Sequence, residues 1–166
     1  LKELARKSIG VDNEASFFNS FNENLEKIEK EIEALMSMIN TKLTTIPGVS
    51  IFSAATILGE IGDISKFSSP AKLIAFTGFD IAIYQSGEKE FYGKLVKRGS
   101  PLLRKTIWNL VLGSIRLIPQ ITDYYHRKRE QGKHHKVAFS AISRKLIRLI
   151  YHIESNKIDF DIEQYR

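Results

Sequence analysis

The chain has 166 residues, 43% of them hydrophobic, with 25 Lys and Arg against 19 Asp and Glu, a formal net charge of +6 and no cysteine. These figures suit one globular core with an appendage, and they exclude disulfide staples, thiolate metal sites and thiol nucleophiles. The charge is unevenly placed: residues 1–70 carry 7 basic against 10 acidic side chains, residues 71–166 carry 18 against 9, and from Lys94 to Arg148 there are 14 basic residues with only Asp123 and Glu130 among them. Such a field either attracts a polyanion, nucleic acid being the commonest, or is a solubilising surface. The first residue is Leu rather than Met, so the chain reads as a piece of a longer protein. No apolar run reaches the roughly 18 residues of a spanning helix and no signal peptide opens the chain, so no membrane partner and a cytoplasmic address are expected.

In chain order, the first pattern is Phe18, Phe21, Leu25, Ile28, Ile32, Leu35 and Ile39, which step alternately by three and four through a polar segment. This is a heptad seam on a helix of about 25 residues, and it calls for a partner helix. The partner is either in the same chain or in a second copy. Residues 1–12 are too short for a full internal mate, which favours a homodimer or a mate in a missing preceding part. Residues 1–45 are therefore read as a coiled-coil segment.

The next stretch, TTIPGVSIFSAATILGEIGDISKF, reads as a turn at Pro47-Gly48 followed by a helix capped by Ser50, with Ala54, Ala55, Ile57, Leu58 and Ile61 as its apolar face. The pattern is like a helix-hairpin-helix motif, in which Gly48 would let backbone N–H groups approach a DNA phosphate; a hairpin used only for packing has similar residues. SSPAKLIAFTG predicts a short helix with Ser69 as cap, Pro70 at its first position and Gly78 as terminator. Residues 79–84 form a candidate strand with which residues 87–93 could pair. GSPLLRK repeats the Ser-Pro signal at Ser100 and Pro101 and opens a helix through Leu117, stopped at Pro119. Two more helices are expected, at about 120–130 and 134–155, parted by Gln131-Gly132-Lys133. Residues 46–155 thus form one domain, mainly α with at most one small β-hairpin, and residues 156–166 read as a polar tail.

No metal constellation is present: His134 and His135 are adjacent, His126 and His152 are isolated, and Glu60, Asp63 and Asp80 are scattered. What remains is the stretch from Ile83 to Lys105. Ser86 beside Gly87 has an unencumbered hydroxyl. Lys94, Lys97, Arg98, Arg104 and Lys105 supply cations for the charge that builds on a phosphoryl group under attack. The start of the Ser100-Pro101 helix offers N–H groups as well. Chemistry alone favours the plainer alternative, a capped turn whose cations only hold nucleic acid. Arg127, Lys128 and Arg129 form a second basic run, suited to phosphates rather than to bases.

The run IPGVSIFSAATILGEIGDISKFSSPAKLIAFTGFDIAIYQSG, continued by KLVKRGSPLLRKTIW, resembles the C-terminal transposase domain of the insertion sequence one-ten family, which includes the Piv-like DNA invertases. The likeness covers about Ile46 to Leu117 and extends loosely to Tyr151. It rests on the joint pattern IPG, AAxxLxEIGD, SPxxLxAxxG, QSG and KRGxPxLR. The resemblance implies a site-specific transposase or recombinase in which Ser86, the serine of QSG, forms a covalent link to a DNA 5′ phosphate. It implies a bacterial, nucleoid-associated setting, DNA as partner and, in family members, a structured bridge RNA. It also implies a RuvC-like domain with a DEDD acidic tetrad for Mg²⁺; that tetrad is missing here, so this piece is expected to need no cofactor and to be inactive by itself. The alternatives are a non-catalytic DNA-binding module and an RNA-binding or assembly module of a ribonucleoprotein.

Overall fold

The structure is a computed structural model. It describes residues 2–86, 89–95 and 99–162, with side chains described over residues 16–80 and 99–162. Two compact units divide the chain, Leu1–Ile39 and Asn40–Arg166.

The first unit is one helix, α1, Lys2–Met38, of 37 residues. It is longer than the heptad pattern alone indicates. The reason is local: residues 2–17 contain no proline and are rich in Lys, Glu, Leu, Ala and Arg, all good helix formers, so the helix continues back past the end of its apolar seam. The seam itself is open in the single chain: Phe18 is 60% exposed, Ile28 52% and Leu35 57%. Several turns of α1 thus carry large apolar side chains exposed to water.

The second unit is helical apart from one hairpin among the described residues. A 3-10 turn, Leu43–Thr45, precedes α2, Ile51–Ile61. As the sequence predicts, Ser50 caps α2, its hydroxyl accepting from the Ser53 N–H at 3.2 Å. After a second 3-10 turn, Ile64–Lys66, helix α3 runs Pro70–Thr77 with proline at its start and left-handed Gly78 at its end. The strands β1, Ile81–Ser86, and β2, Lys89–Leu95, pair antiparallel. Then come α4, Pro101–Leu117, α5, Pro119–Glu130, and α6, His135–Asn156.

Helix α6 is the centre of this unit and packs on α3, α4 and α5. Its apolar positions Ala138, Phe139, Ile142, Leu146, Ile147 and Ile150 recur at helical spacing and are all buried. Burying each of the large ones contributes roughly 1.5–3 kcal/mol. Pro119 separates α4 from α5 because it has no N–H to offer the carbonyl of Ile115. The Thr122 hydroxyl donates to that carbonyl instead.

Residues 157–160 have no periodicity, yet they are tied down. Lys42 pairs with Asp159 at 3.2 Å, and the Phe160 N–H donates to the Thr45 hydroxyl at 2.8 Å. The buried Glu154 carboxylate accepts from Thr41 and pairs with Lys157. Residues 41–45 therefore pack with the helical domain, and the boundary between units falls after Ile39.

Two glycines fix how the layers approach. Gly48, with φ +89°, sits over Gly113 of α4: a Cβ there would lie 3.3 Å from Leu117 Cδ1 and 3.6 Å from the Gly113 backbone. Gly99, with φ +95°, is tighter, since a Cβ would stand 2.0 Å from the Phe76 carbonyl oxygen at the end of α3. A side chain at residue 99 would force α3 and α4 apart. Gly99→Ala is expected to destabilise the domain by about 2 kcal/mol or more, by strain and overpacking together. Gly59→Ala, in the middle of α2 with nothing within 4 Å of its new methyl, should instead stabilise by about 0.5–1 kcal/mol. Paired thermal or urea melts of the two variants check both signs.

Candidate nucleic-acid interface

The hairpin leaves and rejoins the helical body at the meeting of α3 and α4. Gly78 turns the chain out of α3, and Gly99, pressed on Phe76, brings it back. The register runs Ile81 with Leu95, Ile83 with Tyr92, Tyr84 with Phe91, Gln85 with Glu90 and Ser86 with Lys89. Between Ile81 and Ile83 one residue of β1 faces two of β2, Gly93 and Lys94, which makes a bulge. Ser86 therefore closes the last pair of the ladder, five residues beyond Ile81, or about 16 Å along the strand. The side chains of Ser86 and Lys94 lie outside the described residues, and so do Gly87, Lys97 and Arg98 altogether.

At the base of the hairpin, Ser100 caps α4 by accepting from the Leu103 N–H at 3.2 Å, with Pro101 next to it as expected. Arg104, one of the cations assigned from sequence to a phosphate, turns back and donates from Nη1 to the Gly99 carbonyl at 2.9 Å. It braces the return of the chain. Lys105 is exposed on the same first turn of α4. Ser86 and Arg104 thus belong to opposite ends of the hairpin along β1, so the strand does not bring them together.

Gly48 has a packing reason of its own, since the side on which a Cβ would project meets Gly113 and Leu117. The element before it is a single 3-10 turn rather than an α-helix, so only the second arm of the expected hairpin motif is α-helical within this unit.

The second basic run divides. Arg129 donates to the Lys133 carbonyl at 2.8 Å, closing the end of α5, where Lys133 N–H also reaches back to Lys128 and Gly132 N–H to Arg129. Arg127 and Lys128 do something else. The Arg127 guanidinium and the Lys128 ammonium each stand 5.4 Å from the centre of the Tyr124 ring, and Lys145 of α6 stands 4.5 Å from it. Burial, with repulsion from Arg127 and Arg148, holds the Lys145 ammonium below the usual lysine range. Tyr124, Lys145 and Arg148 were not singled out from the sequence. A signal was there: Tyr124 is three and four residues before Arg127 and Lys128, and Lys145 and Arg148 are three apart, so each set lies on one helix face.

Comparison with known proteins agrees with this assembly of motifs. The Transposase IS116/IS110/IS902 family profile matches residues 40–126, just over half of the chain, and starts at the same residue as the second structural unit. The chain is 26% identical over 145 residues to the insertion element IS110 uncharacterized 43.6 kDa protein of Streptomyces coelicolor, covering 86% of this chain and 36% of the relative. It is 26% identical over 149 residues to the insertion element IS900 uncharacterized 42 kDa protein of Mycobacterium paratuberculosis, covering 89% and 35%. It is 30% identical over 82 residues to the transposase for insertion sequence element IS1111A of Coxiella burnetii, covering 49% and 22%. The chain therefore spans about a third, or less, of the length of the curated relatives it matches. With the profile covering the turn at Gly48, the hairpin and the start of the basic helices, the chain belongs to the IS116/IS110/IS902 transposase family.

Proposed function

We propose that this chain is the DNA-handling and strand-exchange portion of a site-specific transposase, with Ser86 as its nucleophile. The observation that carries the reading is the position of Ser86 at the closing pair of a two-stranded hairpin, inside the region matched by the family. A residue there stands at the end of the ladder farthest from the Ile81–Leu95 pair. In the proposed step, Ser86 Oγ attacks the phosphorus, the Oγ–P bond forms, and the P–O3′ bond breaks. The serine proton is lost to a base or to water, and the leaving 3′ oxygen takes up a proton. The product is a 5′-phosphoserine link that a second DNA 3′-hydroxyl can reverse. The cations assigned from the sequence to the charge on the phosphoryl oxygens are Lys94, Lys97 and Arg98.

Among the described residues no three His, Asp or Glu side chains come together as a metal site. The Mg²⁺ expected from the resemblance is assigned to the acidic RuvC-like domain that the resemblance implies, outside these residues. A bridge RNA would be met by the same basic faces. Ser86→Ala in the full-length protein should leave DNA affinity within about twofold, because one hydroxyl adds little to a binding dominated by phosphate charges. The same change should abolish the covalent protein–DNA species trapped with a nicked substrate. A trapped species that survives in the alanine variant would sink the nucleophile assignment.

The exposed seam of α1 supports a second part of the reading: two copies of the helix pair, bringing two serine domains to one DNA assembly. Each seam side chain buried in such a pair contributes roughly 1.5–3 kcal/mol. Ile28→Asp combined with Ile32→Asp should therefore convert a dimer to a monomer in sedimentation at micromolar concentration. A wild-type protein that is already monomeric there would refute the pairing and leave the serine assignment standing.

A further inference from the structure

We propose that Phe76 at the end of α3, with Leu102 on the first turn of α4, is a stacking platform for an unpaired base of the DNA strand brought to the Ser86 hairpin, with Lys72 and Lys105 for the phosphates beside that base. The inference rests on the chain handling DNA, and it adds how a strand is held next to the hairpin. Phe76 and Leu102 are large apolar side chains left 40% and 53% exposed. They flank one point of the fold: the Phe76 carbonyl is the group that meets Gly99, and Leu102 lies three residues after that glycine. Phe76 is held at both its backbone and its ring. A Cβ on Gly99 would stand 2.0 Å from its carbonyl oxygen, and its ring meets the Phe67 ring edge-on, with centroids 5.2 Å apart and planes at 63°. Phe67 is fixed in turn, since its carbonyl accepts from the Tyr151 hydroxyl of α6 at 2.9 Å. An aromatic ring that is braced yet uncovered needs little further ordering when a flat partner arrives.

The surroundings select the partner. Lys72 is one turn before Phe76 on α3 and Lys105 is one turn after Leu102 on α4, so each apolar side chain shares its helix face with an exposed lysine. Neither lysine is in a salt bridge with a described residue. A nucleotide complements both features, because its base has a flat face and its phosphate is an anion. An apolar protein segment would match Phe76 and Leu102 and leave two ammonium groups unmatched. In an intact duplex the base faces are already stacked on one another, so the platform takes a base only where pairing is broken, as it is during strand exchange. Phe76 and Leu102 have no polar side-chain atom, so the base is held without being read.

The test compares binding of the full-length protein to a single-stranded DNA, an intact DNA duplex and a single-stranded RNA of matched length. Phe76→Ala with Leu102→Ala should weaken the single-stranded DNA by about 5- to 150-fold and the intact duplex by less than about twofold, since stacking is lost only where a base is unpaired. Lys72→Gln with Lys105→Gln should lower the slope of log affinity against log salt on the single strand by about 1.4, at about 0.7 for each phosphate no longer neutralised. Phe76→Trp, which keeps a stacking ring, should bind the single strand far better than Phe76→Ala. In the unaltered protein, 5-iodouracil placed at successive positions of the single-stranded DNA should cross-link to Phe76 under ultraviolet light, a readout that needs no variant to fold. An equal loss on the intact duplex, an unchanged salt slope in the lysine variant, a tryptophan variant as weak as the alanine one, no cross-link to Phe76 at any position, or a larger loss on RNA than on DNA would each overturn the platform. A wild-type protein that binds neither DNA would overturn the functional reading with it, whereas wild-type binding untouched by the variants overturns the platform alone.

Discussion

The contact of Gly99 with the carbonyl of Phe76 is the constraint on which the arrangement around Ser86 depends. The end of α3 and the start of α4 approach so closely there that a methyl group would occupy the place of the carbonyl oxygen. Two helix termini locked at this distance define one point from which the chain must leave after Gly78 and to which it must return. A two-stranded hairpin is the simplest path that does so, because antiparallel strands begin and end side by side. The reach of Ser86 is then set by strand length alone. Arg104 and Ser100 support the junction from the α4 side, one by holding the Gly99 carbonyl and the other by capping the helix. Three residues of the KRGSPLLR stretch therefore act on the backbone geometry that carries the serine.

The basic residues divide by what lies within their reach. Arg104 and Arg129 each find a backbone carbonyl at a helix boundary and donate a guanidinium N–H to it. Arg127, Lys128 and Lys145 meet the Tyr124 ring instead. A carbonyl at a helix end lacks an intrahelical partner, so a nearby arginine gains a charge-assisted hydrogen bond there. An aromatic face offers a weaker and less directional attraction. The same run of three residues, Arg127 to Arg129, thus contributes both to closing a helix and to the cations around Tyr124.

Helix α6 ties these parts into one body. It touches α3, which ends at the hairpin, and α4 and α5, which follow it. Its far end holds the entrance of the domain through Glu154, whose buried carboxylate is bonded to Thr41 and Lys157. A buried carboxylate is costly unless paired and hydrogen-bonded, so this network makes the packing of residues 41–45 specific. Tyr151 adds a bond from its hydroxyl to the Phe67 carbonyl at 2.9 Å.

Helix ends and apolar faces were legible in the sequence because they are local. Ser50, Ser100, Pro70, Pro101 and Gly78 act on backbone groups within four residues, and the apolar spacing of α2, α4 and α6 states which face each helix must bury. The seam of α1 and the hairpin at residues 81–95 were legible for the same reason, although the full length of α1 was not, since its first half is helical by composition without a seam. The sequence by itself also carried the motif pattern that marks the family. Only the tertiary structure decided why residues 48 and 99 must be glycine, because the atoms they avoid are contributed by Gly113 and Phe76, far off in the chain. Tertiary structure likewise tied residues 157–160 to residues 42–45 and set Lys145 over Tyr124. Such pairings depend on where α6 lies against its neighbours, and that is settled by the collective packing of the core rather than by any single stretch of residues.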